Sequence, residues 1–312
     1  DLLPSIVNNF KKETIQETET YGGRAELLMR AFTGKIDWRD QVSYVNDIQK
    51  ITKADIMAFA NKYLGDNYVA VYKKKGERTN VEKIEKPAIT PVETNADKQS
   101  AFVKMINDMP STPVAPLFLD YNKDIQKSKL GKAEVLSVQN KDNDLFRLSF
   151  RYKIGTLNDL KMGIAAQYIQ FLGTNKKSAE EISKEFYKIA SSFRVSTGEE
   201  YTYVNIEGLQ ENFAAAVALY EELVSNVKVD EEALQSLKAR IIKYRGDVKA
   251  NRNQIMQALT SYALYGPKNK YNHALSNAEL EATSAAELVD RLKKLNDVCL
   301  LYTSPSPRDR TR

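Results

Sequence analysis

The sequence predicts an α+β fold in which helices pack on one face of an antiparallel-rich sheet. Short runs with alternating apolar residues come in pairs, separated by turn chemistry, as in hairpins. Longer segments between them carry apolar residues three and four apart, the spacing of amphipathic helices. Paired strands followed by paired helices give the order ββααββαα with further helices behind, which favours hairpins over single-strand crossovers.

Residues 1–78 read as three helices and a strand. Ala25 to Phe32 is apolar at helical spacing, and Asp37 is placed to cap a helix that starts at Trp38. Thr52-Lys-Ala-Asp55 has the form of a capping box, followed by Ile56, Phe59, Ala60 and Tyr63 on one face. Gly65 ends that helix, and Tyr68 to Tyr72 is expected to be a strand that closes at Lys73 to Glu77. The three lysines at 73–75 read as a charged strand end that blocks edge pairing.

Residues 79–128 carry Pro87, Pro91, Pro110, Pro113 and Pro116 among charged and small residues. This is linker composition, with a short helix expected around Asp97 to Ile106. At about 50 residues it is too long for a loop inside one domain and is expected to join two.

Residues 129–297 form a second unit. Val135 to Val138 and Leu145 to Phe150 alternate like strands around the turn Asn140 to Asn143. A helix from Asn158 or Asp159 carries Ile164, Ala165, Tyr168 and Phe171 and stops at Gly173-Thr174. Ser178-Ala-Glu-Glu181 is a second capping box, ahead of Ile182, Phe186 and Ile189. Phe193 to Val195 and Tyr201 to Ile206 pair around Gly198. Helices follow at 212–226, 230–251, 254–265 and 284–295. From Val298 the pattern breaks, and 298–312 is expected to be a non-native tail.

Composition excludes several classes. The formal net charge is +5. Three Arg and one Asp in the tail supply +2 of it, leaving +3 on the body. Mixed Lys and Glu without a basic block read as solvated faces and speak against nucleic-acid binding. No apolar run is long enough to span a membrane. The first residues do not have the form of a signal peptide, and the chain is expected to begin inside a longer protein. The single Cys lies in the tail, so neither a disulfide framework nor a thiolate metal site is available. Tyr21-Gly-Gly-Arg24 and Ile154-Gly-Thr156 lack the spacing of a phosphate loop. The acid pairs 180–181, 199–200, 221–222 and 231–232 do not converge, because adjacent helical residues point about 100° apart. His273, the one histidine, sits in a loop after Gly266-Pro267 and reads as a loop residue without a catalytic partner.

The order of elements, together with Phe171-Leu-Gly-Thr174, Ser178-Ala-Glu-Glu181, Ser196-Thr-Gly-Glu-Glu-Tyr-Thr202 and Leu209-Gln-Glu-Asn-Phe213, resembles the repeat unit of the insulinase/pitrilysin zinc metallopeptidases (inverzincins). Ile51-Thr-Lys-Ala-Asp-Ile56 and Lys75-Gly-Glu77 are similar to the end of that family's preceding domain. The resemblance implies αβ roll units. It makes 1–78 the C-terminal part of one domain, 79–128 an interdomain linker and 129–297 a non-catalytic domain.

In that family a His-x-x-Glu-His helix precedes the Phe-x-Gly-Thr turn. Counted back from Phe171, the two His positions are Ile164 and Tyr168 and the Glu position is Gln167. A catalytic zinc needs about three N, O or S ligands, a water and a base for that water. Ile164 and Tyr168 offer no imidazole, and Gln167 cannot take a proton as a carboxylate does. The third ligand is a Glu on the long helix, where no acid occurs between Glu232 and Asp247. No catalytic, cofactor-binding or metal-binding residue is therefore expected here, and these three positions are a degenerate zinc motif.

The resemblance further implies the substrate-enclosing wall and hinge of a peptide-degrading chamber. Zinc would lie in an absent N-terminal half, and the partners would be a peptide or small protein substrate, that catalytic half and an absent fourth domain. It implies a soluble setting, the bacterial periplasm by family likeness. The alternative is a zinc-free structural or regulatory subunit, separated from the first by whether the upstream sequence carries His-x-x-Glu-His. Nucleic-acid binding is a third class, which a steep salt dependence of DNA binding would support.

Overall fold

The computed structural model describes residues 2–76, 85–92, 94, 96, 98–113, 115–116, 118–131, 133–267, 269–295 and the backbone of 300–303. Glu77, Asp97, Asp297, Cys299 and the tail from 304 lie outside the described residues. The chain forms two compact units, Asp1–Ile51 with Phe118–Arg310, and Thr52–Leu117. Among the described residues no helix is long and apolar enough to cross a membrane.

The first unit opens with three helices, α1 (Leu3–Thr18), α2 (Tyr21–Thr33) and α3 (Trp38–Ile48). Asp37 caps α3 through the Arg39 N–H, as the sequence suggests. The expected bounds 1–78 and 129–297 differ from this grouping. Polar contacts account for it: Asn9 Nδ2 donates to the Tyr187 carbonyl at 2.8 Å, and Glu19 pairs with Arg147 and accepts from Asn143.

A six-stranded sheet follows, built from β1 (Gln126–Leu130), β2 (Ala133–Ser137), β3 (Leu145–Tyr152), β4 (Ser191–Thr197), β5 (Thr202–Leu209) and β6 (Leu300–Thr303). Its order is β1-β2-β6-β3-β5-β4, and every neighbouring pair is antiparallel except β2 with β6. Two strands depart from expectation. β1 begins in the last residues of the stretch read as linker and runs past its expected end at 128, turning into β2 through Gly131 at φ +60°. β6 falls in the stretch read as a foreign tail. Its Leu-Leu-Tyr-Thr sequence suits a central strand, and it separates β2 from β3, which were expected to neighbour one another.

The helices behind the sheet are α6 (Met162–Tyr168), α7 (Ala179–Lys188), α8 (Phe213–Asn226), α9 (Glu231–Ala250), α10 (Arg252–Tyr265), α11 (Asn277–Ala282) and α12 (Ala285–Lys294). The fold class is α+β, as the sequence predicts. On β3 and β5, Phe146, Leu148 and Phe150 pair in register with Gly208, Ile206 and Val204 and turn into one core. Met162, Tyr168, Leu223, Leu234 and Leu288 fill that core from the helices. Burying side chains of this size is worth about 1.5–3 kcal/mol each before conformational entropy is subtracted. Capping boxes start α7, α11 and α12, with Ser178, Ser276 and Ser284 each bonded reciprocally to a Glu three residues on.

The second unit holds α4 (Lys53–Tyr63) and α5 (Ala101–Asn107). The Thr52–Asp55 capping box expected from sequence starts α4. The strand expected at Tyr68 to Tyr72 does not form. Val69 and Val71 are each 89% exposed, and among the described residues no strand pairs with this segment. Local alternation makes a strand only where a partner supplies the ladder.

Candidate functional site

The three positions that the resemblance singles out for metal chemistry lie on α6. The chain approaches it through a tight turn, with the Thr156 and Leu157 N–H groups donating to the carbonyls of Gly198 and Glu199 at 3.0 and 2.9 Å. A Cβ on Gly155 would lie 2.2 Å from the Glu199 carbonyl oxygen, so only glycine fits there. Asp159 is spent on this turn, accepting from the Lys161 N–H at 2.9 Å and from Arg291 Nε at 2.6 Å. The helix consequently begins at Met162 rather than at Asn158 or Asp159. Lys161 Nζ holds both Glu287 oxygens, at 2.9 and 2.8 Å, tying the helix start to α12.

All three degenerate motif positions fall on this helix. Ile164 is buried in the core. Gln167 is exposed and donates from Nε2 to the Gly163 carbonyl at 3.2 Å. Tyr168 is fully buried. Its hydroxyl donates to the Asp230 carbonyl at 2.6 Å and accepts from the Asp230 N–H at 3.0 Å. Burial pushes the phenol upward from its ordinary value, the bond to the Asp230 backbone opposes this, and the charges of Asp230 and Glu231 add to the rise. Tyr168 is thus a neutral strut between α6 and the start of α9, where Asp230 also caps the helix through the Ala233 N–H.

The residues do not fit a zinc ion. Ile164 has no donor atom, the Tyr168 oxygen is already doubly hydrogen-bonded, and Gln167 carries no charge. Among the described residues no three His, Cys, Asp or Glu side chains gather into a set that could hold a metal.

Behind the helix, Phe171 to Thr174 act as a latch. The Gly173 carbonyl accepts from Lys228 N at 2.9 Å, and Thr174 N donates to the Lys177 carbonyl at 2.7 Å. Thr174 Oγ1 accepts from the N–H groups of Lys176 and Lys177. A Cβ on Gly173 would lie 2.3 Å from that same Lys177 carbonyl oxygen, which explains the glycine. The Arg240 guanidinium from α9 stands 4.9 Å over the Phe171 ring. These two side chains, with Gln170, Glu180 and Glu232, line an open cleft of about 540 Å³.

The remaining candidates stay apart from this cleft's chemistry. His273 is exposed, its Nε2 lying 3.1 Å from the Thr156 carbonyl, and it braces the turn before α6. Glu181 serves its capping box, and Glu222 pairs with Lys177 at 3.0 Å. Sequence reasoning missed two features. The Tyr168–Asp230 tie spans 62 residues and carries no local signal. The stacking of Arg151 on Tyr201 joins β3 to the residue just ahead of β5, and alternation alone does not assign such a pair.

Fold and site together define an α+β domain in which Ile164, Gln167 and Tyr168 of α6 do not make a metal-binding set. Residues 134–278 match the family model for insulinase, peptidase family M16. No curated protein matches the sequence. Among solved structures the chain is similar to the periplasmic protease PqqL from Escherichia coli, with TM-score 0.50 and 11% identity over 84% of this chain and 27% of that one. It is similar to the ferredoxin protease FusC in complex with Arabidopsis ferredoxin, with TM-score 0.51 and 12% identity over 94% of this chain and 35% of that one. A peptidase M16 inactive domain from Pseudomonas fluorescens matches with TM-score 0.49 and 16% identity, over 57% of this chain and 46% of that one. The chain spans about a quarter to a third of the two proteases' length.

Proposed function

We propose that this chain is a non-catalytic portion of a zinc-dependent metalloendopeptidase, forming the substrate-enclosing wall and hinge of a peptide-degrading chamber. The observation that carries this reading is the filling of α6. Within the region that matches the insulinase-family model, α6 is a buried helix with an ordered turn before it and a latch behind it, and the positions counted back from Phe171 hold Ile164, Gln167 and a Tyr168 bonded to the backbone of Asp230. Zinc and the base that activates water then belong to another part of the parent protein. The likeness to two proteases supports a peptide or protein substrate, and the periplasmic location of PqqL supports a periplasmic setting.

A quenched fluorescent peptide tests this reading. The isolated chain is expected to give no chelator-sensitive turnover, whereas the full-length product of the parent gene cleaves the peptide and loses that activity to a chelator. Chelator-sensitive turnover by the isolated chain overturns the proposal. A parent protein without zinc-dependent turnover replaces it with a structural subunit.

A further inference from the structure

We infer that the solvent-facing side of the six-stranded sheet is a docking surface for an acidic, extended polypeptide segment, with Arg151 as its anchor. The register places the residues. Lys129, Glu134, Leu301, Arg151, Tyr203 and Ser196 lie in one row across the strands. Lys127, Ser149, Asn205 and Arg194 lie in the next row, on the same face. None of the described side chains in these rows is fully buried, while the opposite face of β3, β4 and β5 is packed into the core.

This face carries unbalanced positive charge. Arg147 is answered by Glu19 and Glu207 at one end. Lys127, Lys129, Arg151 and Arg194 make no ion pair with a described residue, and Glu134 is the acid set against them. Lysines on β1 alone would be ordinary protection of a sheet edge. That explanation does not reach Arg151, which stands on the central strand β3.

Arg151 is pre-positioned. Its guanidinium carbon lies 3.7 Å from the centre of the Tyr201 ring, so stacking fixes the plane of the fork. Its Nε is buried without an acceptor, so the group is partly desolvated and not satisfied by its own chain. A carboxylate reaching the outer nitrogens would form a charge-assisted bond with little ordering left to do. From β1 to β4 the face spans five strand spacings, about 24 Å. That is the reach of about seven residues of extended chain. A segment of this length bearing two or three carboxylates matches the separated charges, whereas a single small anion would meet one of them. The inference concerns binding alone and stands whether the segment is a substrate or a partner.

The test is fluorescence anisotropy with a labelled twelve-residue peptide carrying spaced Glu residues, against its Gln and Lys counterparts, using the whole chain. The Glu peptide is expected to bind about tenfold tighter than the Gln peptide, with the difference shrinking at high salt. Arg151→Gln and Arg194→Gln are each expected to lose most of that preference, and Arg151→Lys to keep part of it. Lys184→Gln and Lys188→Gln, on α7 away from the face, are expected to leave it unchanged. Equal affinity for the Glu and Gln peptides overturns the inference. So does an equal loss in the α7 variants, which would reduce the effect to net charge. Circular dichroism of each variant separates lost docking from lost folding. Because binding is read directly, acidic-peptide binding without turnover, or turnover without binding preference, separates this inference from the proposed function.

Discussion

Tyr168 shows how one buried phenol can hold a helix in place through the backbone of a distant segment. The hydroxyl satisfies both backbone groups of Asp230, and the ring fills the core. Tyr168→Phe keeps the ring and leaves those groups short of a partner, which is expected to cost about 1–3 kcal/mol in chemical denaturation. Tyr220 is buried as well, and burial pushes its phenol well above the ordinary value, with Tyr152 adding to the rise. Both phenols are raised, so their protonated forms favour the folded state. Their contribution is complete below about pH 10 and is lost as the pH rises above it. Denaturation between pH 7 and 11 should show falling stability at the alkaline end, and Tyr220→Phe should flatten that fall. That Ile164, Gln167 and Tyr168 share one helix was legible, because the apolar spacing ahead of Gly173-Thr174 predicts it. The Asp230 partner was not, because hydrogen bonds between distant segments leave no periodic trace.

Among the elements, local rules worked wherever the structure is local. The Thr52 and Ser178 boxes formed as read, since three residues suffice to make them. Ser178→Ala is expected to cost about 1 kcal/mol in thermal or chemical unfolding. The N–H and hydroxyl of Ser178 hold the Glu181 carboxyl below its ordinary value, and Ser276 does the same for Glu279. Both pKa values are depressed on folding, so this stability is present above the ordinary value of 4.5 and is lost as pH falls below it. The acid limb of the stability profile should be shallower in Ser178→Ala. Gly173→Ala drives a Cβ against the Lys177 carbonyl and is expected to cost about 1–3 kcal/mol, read as a lowered denaturation midpoint. Sheet membership is where local reading failed. Tyr68 to Tyr72 alternates yet has no strand beside it, while Leu300 to Thr303 joins a sheet whose partners lie more than a hundred residues earlier. Strand pairing is set by what the rest of the chain brings alongside, and alternation reports only the residue's half of it.

For the whole molecule, burial is unevenly shared. Between 52 and 117 no described residue is buried, while the core lies within 118–295. Limited proteolysis is therefore expected to cut first between 52 and 117 and to leave a resistant fragment starting near 118, read by mass spectrometry. That same core decides whether metal chemistry could be restored. Ile164→His, Gln167→Glu and Tyr168→His together rebuild the His-x-x-Glu-His order on α6. Two of the three replace buried side chains, so the polar rings enter the core without assigned partners, and Asp230 loses its strut. The third ligand stays absent, because α9 has no acid between Glu232 and Asp247. Two imidazoles hold zinc more weakly than the three or four ligands of a catalytic site. The triple variant is expected to unfold at lower denaturant, to lose its zinc on dialysis, and to leave a quenched peptide uncut. One tightly held zinc per chain with chelator-sensitive turnover would overturn that expectation and show that α6 alone decides whether this domain can act on a peptide.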